Sequence, residues 1–346
     1  MEKTELQMRR AKAVDYMKAM GLVEWSPKKD IDLSEIKKDY RLWSGVVYHG
    51  LPYVNEIDSS LEEFQSYVKN GVYTGPVTVN RCIGVDCSSA VLAAWGTVVS
   101  SFDYVWTMPM MPYSENGSLP VGDYVVPAGA ATSTEVLEAN DLQTLYQSYA
   151  KLQPADAVIS YTKTGHVRMV AEPPMVRLEE DGTIDEASTV VTHEIWINTH
   201  KHGTRQTCWF LDRTYTFQEL KDTSYIPVTC REFATGQFEP LEFSLTEPFL
   251  QTGQELNGCL RSNYRIYEVE AVVCDPAGNV LRQVNRHPLN TVDLKMVSKS
   301  FDLSQLNGSL NLPSLPAGLY ALTLRAKAMG EWHSVSTVPF AKQEQM

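Results

Sequence analysis

One cysteine lies where its sulfur would be placed to act as a nucleophile. Cys87 follows Gly84-Val85-Asp86 and precedes a strongly apolar, alanine-rich segment, residues 88–99. This pattern predicts a loop that becomes a buried helix at Cys87. A helix N-terminus stabilises a thiolate, and its backbone N–H groups can bind an oxyanion. Cys87 is therefore a candidate nucleophile; the alternative is an inert core cysteine, which is the commoner role of a buried free thiol.

A cysteine nucleophile needs a base, and His166 is the candidate. The tripeptide Gly165-His166-Val167 follows a polar turn and opens a segment that is typical of a strand. A histidine at the start of a strand is held by the sheet and accessible at one edge, which suits a base. The chain contains seven histidines, so a surface histidine is the alternative interpretation.

The base in turn needs a residue that accepts a hydrogen bond from its other ring nitrogen. The strand predicted over residues 188–197 carries two adjacent polar residues, His193 and Glu194. Neighbouring side chains on a strand point to opposite faces, so only one of the two can face His166. Both faces also carry apolar residues, so the periodicity does not choose between them.

Helices and strands must position these residues, and along the chain the predicted helices come first and most of the predicted strands follow. Helices are predicted over residues 4–20, 33–42, 59–69 and 141–151, with Ser59 and Glu62 as a capping box. Residues 107–135 are rich in Met, Pro, Gly and Ser and are predicted to be loops. Strands are predicted over residues 157–161, 167–172, 189–197 and 207–210. This order indicates an α+β catalytic domain.

The last hundred residues show a different pattern, with short strands separated by turn residues such as Asn307-Gly308. Strands are predicted over residues 256–259, 266–274, 281–286, 292–301, 318–328 and 332–338. This spacing favours an all-β sandwich domain of immunoglobulin-like size. With 346 residues the chain is too long for one ordinary core. We therefore predict an N-terminal helical segment over residues 1–44 packed on a catalytic domain over residues 45–238, followed by a β-sandwich over residues 239–346.

Composition and charge exclude several classes of protein. The chain is 43% hydrophobic and 21% charged, with a net charge of −12, so it is globular and a poor partner for nucleic acid. No apolar run is long enough to predict a transmembrane segment. The six cysteines form no Cys-x-x-Cys pair, and His200 and His202 lack further ligands at a suitable spacing. We predict no metal and no cofactor, and interpret the two histidines as part of a polar hairpin loop.

Four short segments, in this order, resemble the NlpC/P60 family of papain-like cell-wall cysteine peptidases. They are Gly50-Leu51-Pro52-Tyr53, Asp86-Cys87-Ser88, Leu152-Gln153-Pro154-Ala155-Asp156 and Gly165-His166-Val167. The resemblance covers about residues 45–235. The sequence departs from the family pattern at Ser89 and Ala155, where the family has glycine. The gaps before Cys87 and between Cys87 and His166 are also long, which predicts inserted loops that reshape the cleft.

The resemblance implies a papain-like fold and a role for each matched residue. Cys87 would be the nucleophile and His166 the base. The third catalytic residue falls at His193 or Glu194, and we favour Glu194 because a carboxylate orients an imidazolium more strongly. Tyr53 would lie beside the nucleophile and help to bind the oxyanion, and Asp86 and Ser88 would line the substrate pocket.

The resemblance also implies a substrate, namely peptide bonds in the stem peptides of peptidoglycan. Export or association with the cell envelope would follow, with a leader that this sequence lacks, and a cytoplasmic location is the alternative. The amphipathic N-terminus, residues 1–22, lacks the apolar region of a secretory signal. One or two disulfide bonds are possible in an exported protein.

Two other functions remain open from the sequence. The chain could be a binding or scaffolding protein that keeps this fold without turnover, or an acyltransferase that uses the same thiolate. The β-sandwich would serve as a binding or positioning module by analogy alone.

Overall fold

The structure is a computed structural model that describes residues 4–55, 59–78, 82–104, 106–202, 205–246, 249–251, 255–288 and 296–343. The chain divides into two compact units, with the boundary between Phe238 and Glu239. The first unit mixes helices with one large sheet, and the second is built mainly of strands. None of the helices within the described ranges is long and apolar enough to cross a membrane.

The first unit opens with a long helix whose start is well capped. Thr4 accepts a hydrogen bond from the Gln7 backbone, and the Gln7 side chain accepts one from the Thr4 backbone, which forms a capping box. The buried residues Ala13, Met17 and Met20 lie at helical spacing on the face that packs against the unit. The helices of this unit are α1 (Glu5–Leu22), α2 (Leu61–Ser66), α3 (Cys87–Trp95), α4 (Thr107–Met110), α5 (Ser133–Glu138), α6 (Leu142–Ala150), α7 (Phe217–Asp222) and α8 (Arg231–Thr235).

Ten of the described strands in the first unit form one mixed sheet, in the order β5-β6-β1-β4-β11-β10-β9-β8-β12-β7. The remaining two, β2 and β3, pair with each other. The strands are β1 (Glu24–Pro27), β2 (Ile31–Asp32), β3 (Arg41–Leu42), β4 (Tyr48–His49), β5 (Val68–Lys69), β6 (Val72–Tyr73), β7 (Leu119–Pro120), β8 (Ala157–Tyr161), β9 (Gly165–Met175), β10 (Thr189–His202), β11 (Arg205–Thr216) and β12 (Ile226–Thr229).

The long central strands β9, β10 and β11 of this sheet pair in an antiparallel manner. Strand β9 pairs with β8 on one side and with β10 on the other, and β10 pairs with β11. Their buried residues are mostly β-branched or otherwise apolar, as expected for strands in the middle of a covered sheet. Helix α3 packs against β9 and β10 and against α1. The sheet and α3 therefore form the frame that positions the candidate residues.

The predicted α+β organisation of the first unit is confirmed, and three local predictions are wrong. Residues 33–42 form no helix: Asp32 accepts a hydrogen bond from the Ser34 backbone, and the turn that follows connects β2 to β3. An aspartate that bonds the backbone two residues on stabilises a turn instead of a helix. Helix α2 is shorter than predicted, and its N-cap is Ser60 and not Ser59. The segment predicted to be loops also contains α4, β7 and α5.

The second unit resembles a β-sandwich, in agreement with the prediction of strands at this spacing. A three-stranded sheet has the order β13-β16-β19 and a four-stranded sheet has the order β18-β17-β20-β21. Leucine, valine and phenylalanine side chains from both sheets form a common core. The strands are β13 (Phe243–Leu245), β14 (Leu250–Gln251), β15 (Glu255–Leu256), β16 (Cys259–Ser262), β17 (Ile266–Cys274), β18 (Val280–Arg286), β19 (Ser300–Asp302), β20 (Gly318–Ala328) and β21 (Glu331–Lys342).

Short helical turns connect β19 to β20 in this unit. They are the 3₁₀ turns Leu303–Leu306 and Leu312–Ser314 and the helix α9 (Asn307–Leu310). Among the described residues of the strand predicted over 292–301, the last two belong to β19. Residues 292–295 lie outside the described residues.

Two glycines with left-handed backbones give a matched test of the packing of the first unit. Gly50 has φ +80°, and a Cβ there would lie 2.3 Å from the Trp209 ring, whereas Gly45 has φ +78° and open space. Alanine costs about 1–2 kcal/mol at either position through the left-handed conformation. Gly50→Ala adds a clash of roughly 1–3 kcal/mol with a buried ring.

We therefore expect Gly50→Ala to lower the Tm of the first unit clearly more than Gly45→Ala, as measured by calorimetry of the full chain. Equal decreases in Tm for the two variants would contradict the close approach of Gly50 and Trp209.

Candidate active site

Cys87 is the first residue of α3, as the sequence predicts. Asp86 is the N-cap, and its carboxylate accepts hydrogen bonds from the Ser89 backbone at 2.8 Å and from the Ser88 hydroxyl at 2.9 Å. The Ser89 hydroxyl accepts from the Asp86 backbone in return, at 2.8 Å. Ser89 therefore closes a capping box at the position where the resemblance leads one to expect glycine. These contacts fix the backbone that presents the Cys87 sulfur.

The segment that carries Tyr53 is bonded to the residues just before Cys87. The Val85 N–H donates to the Pro52 carbonyl at 3.1 Å, and the Val54 N–H donates to the Val85 carbonyl at 3.0 Å. Gly84 permits this contact, since a Cβ there would lie 2.5 Å from the Pro52 oxygen. Burial raises the pKa of the Tyr53 phenol, and negative charge at Cys87 or Asp86 acts in the same direction. Tyr53 is thus a neutral hydrogen-bond donor close to Cys87.

The Cys87 sulfur lies against the start of β9. The backbone N–H groups of Val167 and Ser88 and the side chain of Thr107 lie near enough to favour the charged form of the Cys87 thiol. Thr107 can approach the Cys87 sulfur because it packs against Gly165, which has no side chain. A Cβ at residue 165 would lie 2.5 Å from the Thr107 Cβ. Val167 directly follows His166 in β9, so the structure brings the two predicted residues, Cys87 and His166, into the same small region.

Burial determines the resting state of the thiol. Cys87 is 4% exposed, and this burial, assisted by the Asp86 charge, raises its pKa to about 12. The thiol is therefore protonated at neutral pH. A nucleophile in this state depends on a base that removes its proton during the attack.

His166 forms a short hydrogen bond to the residue favoured from the sequence as its orienter. Its Nε2 lies 2.7 Å from Oε2 of Glu194, which belongs to the neighbouring strand β10. Both side chains are buried, with 6% of His166 and 1% of Glu194 exposed. Donation from Nε2 to a carboxylate fixes the tautomer whose Nδ1 can accept a proton. Trp196 packs edge-on against the imidazole with a centroid separation of 4.5 Å.

Glu194 is held by several cationic and hydroxyl groups besides His166. Arg168 Nε donates to Oε2 at 2.9 Å, the Tyr215 hydroxyl donates to Oε1, and Arg213 lies 3.5 Å from Oε1. Burial alone raises the pKa of Glu194, but the His166 hydrogen bond and the Arg168 charge outweigh it and hold the pKa at about 2. Glu194 is therefore ionised throughout the physiological range.

The imidazole of His166 is neutral at neutral pH. Burial lowers its pKa below the ordinary value, and the positive charge of Arg168 acts in the same direction. The Glu194 hydrogen bond and charge oppose this shift without reversing it. A neutral imidazole can accept a proton from a neutral thiol, so this is the form in which His166 can act as a base.

His193, the alternative third residue, makes a different set of contacts. Its Nδ1 accepts a hydrogen bond from the Asp212 backbone at 3.1 Å. Its neighbour Glu194 is the one of the two that contacts His166. The strand carries a bulge between Thr192 and Glu194 in its pairing with β11, so simple alternation did not suffice to choose between the two residues.

The remaining predicted residues, Asp86 and Ser88, lie at the start of α3. The Asp86 carboxylate accepts hydrogen bonds there from the Ser88 hydroxyl and from the Ser89 backbone. Their role in lining a substrate pocket stays a prediction. Sequence reasoning missed Thr107, Arg168, Tyr215 and Tyr225, all of which lie around the pair. Arg168 had a recognisable signal, since it is a charged residue within an otherwise apolar strand, two positions after His166 and so on the same face.

The described residues contain no group of three or more His, Cys, Asp or Glu side chains arranged to hold a metal ion. All six cysteines are free thiols in this structure. Comparison of the sequence with models of known protein families gives no match. Comparison with curated proteins gives no match either.

The buried Glu194 carboxylate makes stability depend on pH. Its pKa is about 2 in the folded chain and 4.5 ordinarily, so its contribution is complete above about pH 4.5 and is lost as the pH falls towards 2. Glu194→Gln imitates the protonated form. We expect it to lower the free energy of unfolding by roughly 3 kcal/mol at neutral pH, since one pKa unit corresponds to about 1.4 kcal/mol.

Denaturant unfolding of the full chain from about pH 7 down to about pH 3 measures this effect. The difference between wild type and Glu194→Gln should narrow below about pH 4.5. Glu180→Gln, at an exposed turn, is the control and should change little. A constant difference across the whole range would contradict the low pKa of Glu194.

Proposed function

We propose that this protein is a cysteine peptidase or amidase of the NlpC/P60 type, with Cys87 as nucleophile, His166 as base and Glu194 as orienter. The observation that carries the proposal is the buried His166–Glu194 hydrogen bond of 2.7 Å, in a chain segment whose next residue, Val167, lies near the sulfur of a cysteine at a helix N-terminus. A base bonded to an orienter, with a nucleophile beside the base, is the arrangement that nucleophilic catalysis by a thiol requires.

The fold supports this proposal in two ways. The nucleophile starts a buried helix that packs against an antiparallel sheet, and the base lies on that sheet, as in a papain-like enzyme. Ala155 stands where the NlpC/P60 pattern has glycine, and its φ of 70° is a left-handed conformation that favours glycine. The backbone at Ala155 thus has a conformation that a glycine at this position of the family pattern would favour, although the side chain differs.

The first half of the reaction forms a thioester. The Cys87 thiol transfers its proton to Nδ1 of His166 as the sulfur attacks the substrate carbonyl carbon. The carbonyl π electrons move to the oxygen and form a tetrahedral oxyanion. The carbon–nitrogen bond then breaks, and His166 gives its proton to the departing amine. Glu194 stabilises the imidazolium that exists between the two proton transfers.

The oxyanion needs donors that are in place before the reaction. The Ser89 N–H donates to the Asp86 carboxylate, and the Ser88 N–H lies near the sulfur, so the N–H of Cys87 itself is the helix N-terminal donor proposed for the oxyanion. The Tyr53 phenol stays protonated and lies near Cys87, so it can donate a further hydrogen bond. The positive end of the helix dipole acts on the same negative charge.

The second half of the reaction releases the acyl group. Water attacks the thioester carbon while His166 Nδ1 accepts one of its protons. The carbon–sulfur bond breaks, the carboxylic acid leaves, and the proton returns to the Cys87 sulfur. No metal or organic cofactor takes part in either half of this proposed reaction.

The proposed substrate class is a peptide of the peptidoglycan stem type, by resemblance to the NlpC/P60 family. The test is incubation of purified peptidoglycan with wild type and with Cys87→Ala, followed by mass analysis of the released fragments. We expect wild type to release peptide fragments and Cys87→Ala to lose this activity by about three orders of magnitude or more.

Cys274→Ala is the matched control, because Cys274 is a half-buried cysteine of the second unit. It should release the same fragments as wild type. Release of the same fragments by wild type and Cys87→Ala would exclude Cys87 as the nucleophile. Binding to peptidoglycan without any fragments would instead favour a scaffolding protein.

A further inference from the structure

Arg168 is a buried cation in contact with the orienter of the proposed active site. It follows His166 by two residues in β9 and is 9% exposed. Its Nε donates to Oε2 of Glu194 at 2.9 Å, which is the same oxygen that His166 contacts. Arg168 and His166 therefore share one acceptor atom.

Two aromatic rings enclose the guanidinium. The Arg168 Cζ lies 3.9 Å from the ring centroid of Tyr215 and 3.9 Å from that of Tyr225. Cation–π contacts of this kind are made more often by a guanidinium than by an ammonium group. Tyr215 also donates its hydroxyl to Oε1 of Glu194, so the ring that holds Arg168 belongs to the same hydrogen-bond network.

Burial of this charge is expensive, and its contacts compensate only part of the cost. Taking an ion out of water costs several kcal/mol even after relaxation. Nη1 of Arg168 is buried without a hydrogen-bond partner within the part of the chain that the structure describes. If the arginine only joined strands, an apolar side chain of similar volume would serve as well or better. The position of its charge, next to the base and the orienter, is therefore the feature that needs a function.

We propose that Arg168 is a positioning residue that holds Glu194 in place against His166 and sets the proton affinity of the imidazole. This rests on the proposed function, in which His166 is the base. Through the shared oxygen, Arg168 withdraws negative charge from the hydrogen bond to His166. The imidazole then stays neutral, and able to accept the thiol proton, down to a lower pH.

Other charged groups act on His166 and must be considered with Arg168. The ionisable groups that face the pair are Asp86, Cys87, Glu194, Arg213, Tyr215 and Tyr225. Asp86 and Glu194 favour the charged imidazolium, whereas Arg168 opposes it. Arg213 lies 3.5 Å from Glu194, but its side chain is 44% exposed, so solvent screens its charge. Arg213 is for this reason a matched control.

The test is an NMR titration of His166 in the full chain, with ¹³C-labelled histidine and the resonance assigned by its loss in His166→Gln. Loss of a positive charge at this range should raise the pKa of His166 by about one unit in Arg168→Met, a tenfold gain in proton affinity. Arg213→Met should give less than roughly half that shift. Arg168→Lys keeps the charge and should restore most of the wild-type value.

A folded Arg168→Met whose His166 titrates as in wild type, or no more shifted than in Arg213→Met, would overturn the assignment. A second measurement needs no variant: the Arg168 Nε–H resonance of wild type should shift with the same midpoint as His166, because both groups donate to one oxygen. An Nε–H resonance that stays constant while His166 titrates would overturn it as well, even if Arg168→Met fails to fold.

Activity provides a further readout that separates the two proposals. If His166 is the base, the acid limb of the kcat/KM profile should move to higher pH in Arg168→Met, by the shift measured for His166. A limb that stays in place while the pKa of His166 rises would show that Arg168 does not tune catalysis. The NMR titrations require no substrate, so a chain that cleaves nothing would contradict the proposed function alone.

Discussion

The hydrogen bond between His166 and Glu194 is the interaction on which the other features of the site depend. It joins two neighbouring strands, β9 and β10, in a region from which water is largely excluded. A buried carboxylate is stable only when its charge is paired and hydrogen-bonded, so Glu194 requires cationic and hydrogen-bond-donating residues around it. Arg168, Tyr215 and the imidazole together meet that requirement.

Burial explains why the thiol and the base rest in their neutral forms. Burial raises the pKa of Cys87 and lowers that of His166, so neither is charged before a substrate arrives. Glu194, in contrast, is ionised at neutral pH. In the proposed reaction its negative charge would stabilise the imidazolium formed during proton transfer, and this charge would be in place before the reaction, so the protein would not need to reorganise around it.

Local sequence patterns sufficed to predict part of this arrangement. The change from a loop to an apolar helix located the start of α3 at Cys87, and β-branched runs located the long strands that carry His166 and Glu194. They failed where tertiary contacts decide. Alternation along β10 did not choose between His193 and Glu194, because both faces of the strand carry apolar residues, and the strand has a bulge at this point. Thr107 reaches the sulfur only because Gly165 lacks a side chain, a contact between distant segments that no local pattern reveals.

The central claim is that His166 activates Cys87, and the competition among the six cysteines for limiting iodoacetamide tests it most directly. Cys259 and Cys274 are more exposed than Cys87, so accessibility alone would favour them. Peptide mapping of the native full chain should show slower carboxamidomethylation of Cys87 in His166→Ala than in wild type, with the rates of Cys259 and Cys274 unchanged. An unchanged Cys87 rate in His166→Ala, or an equal change at all three cysteines, would contradict the account.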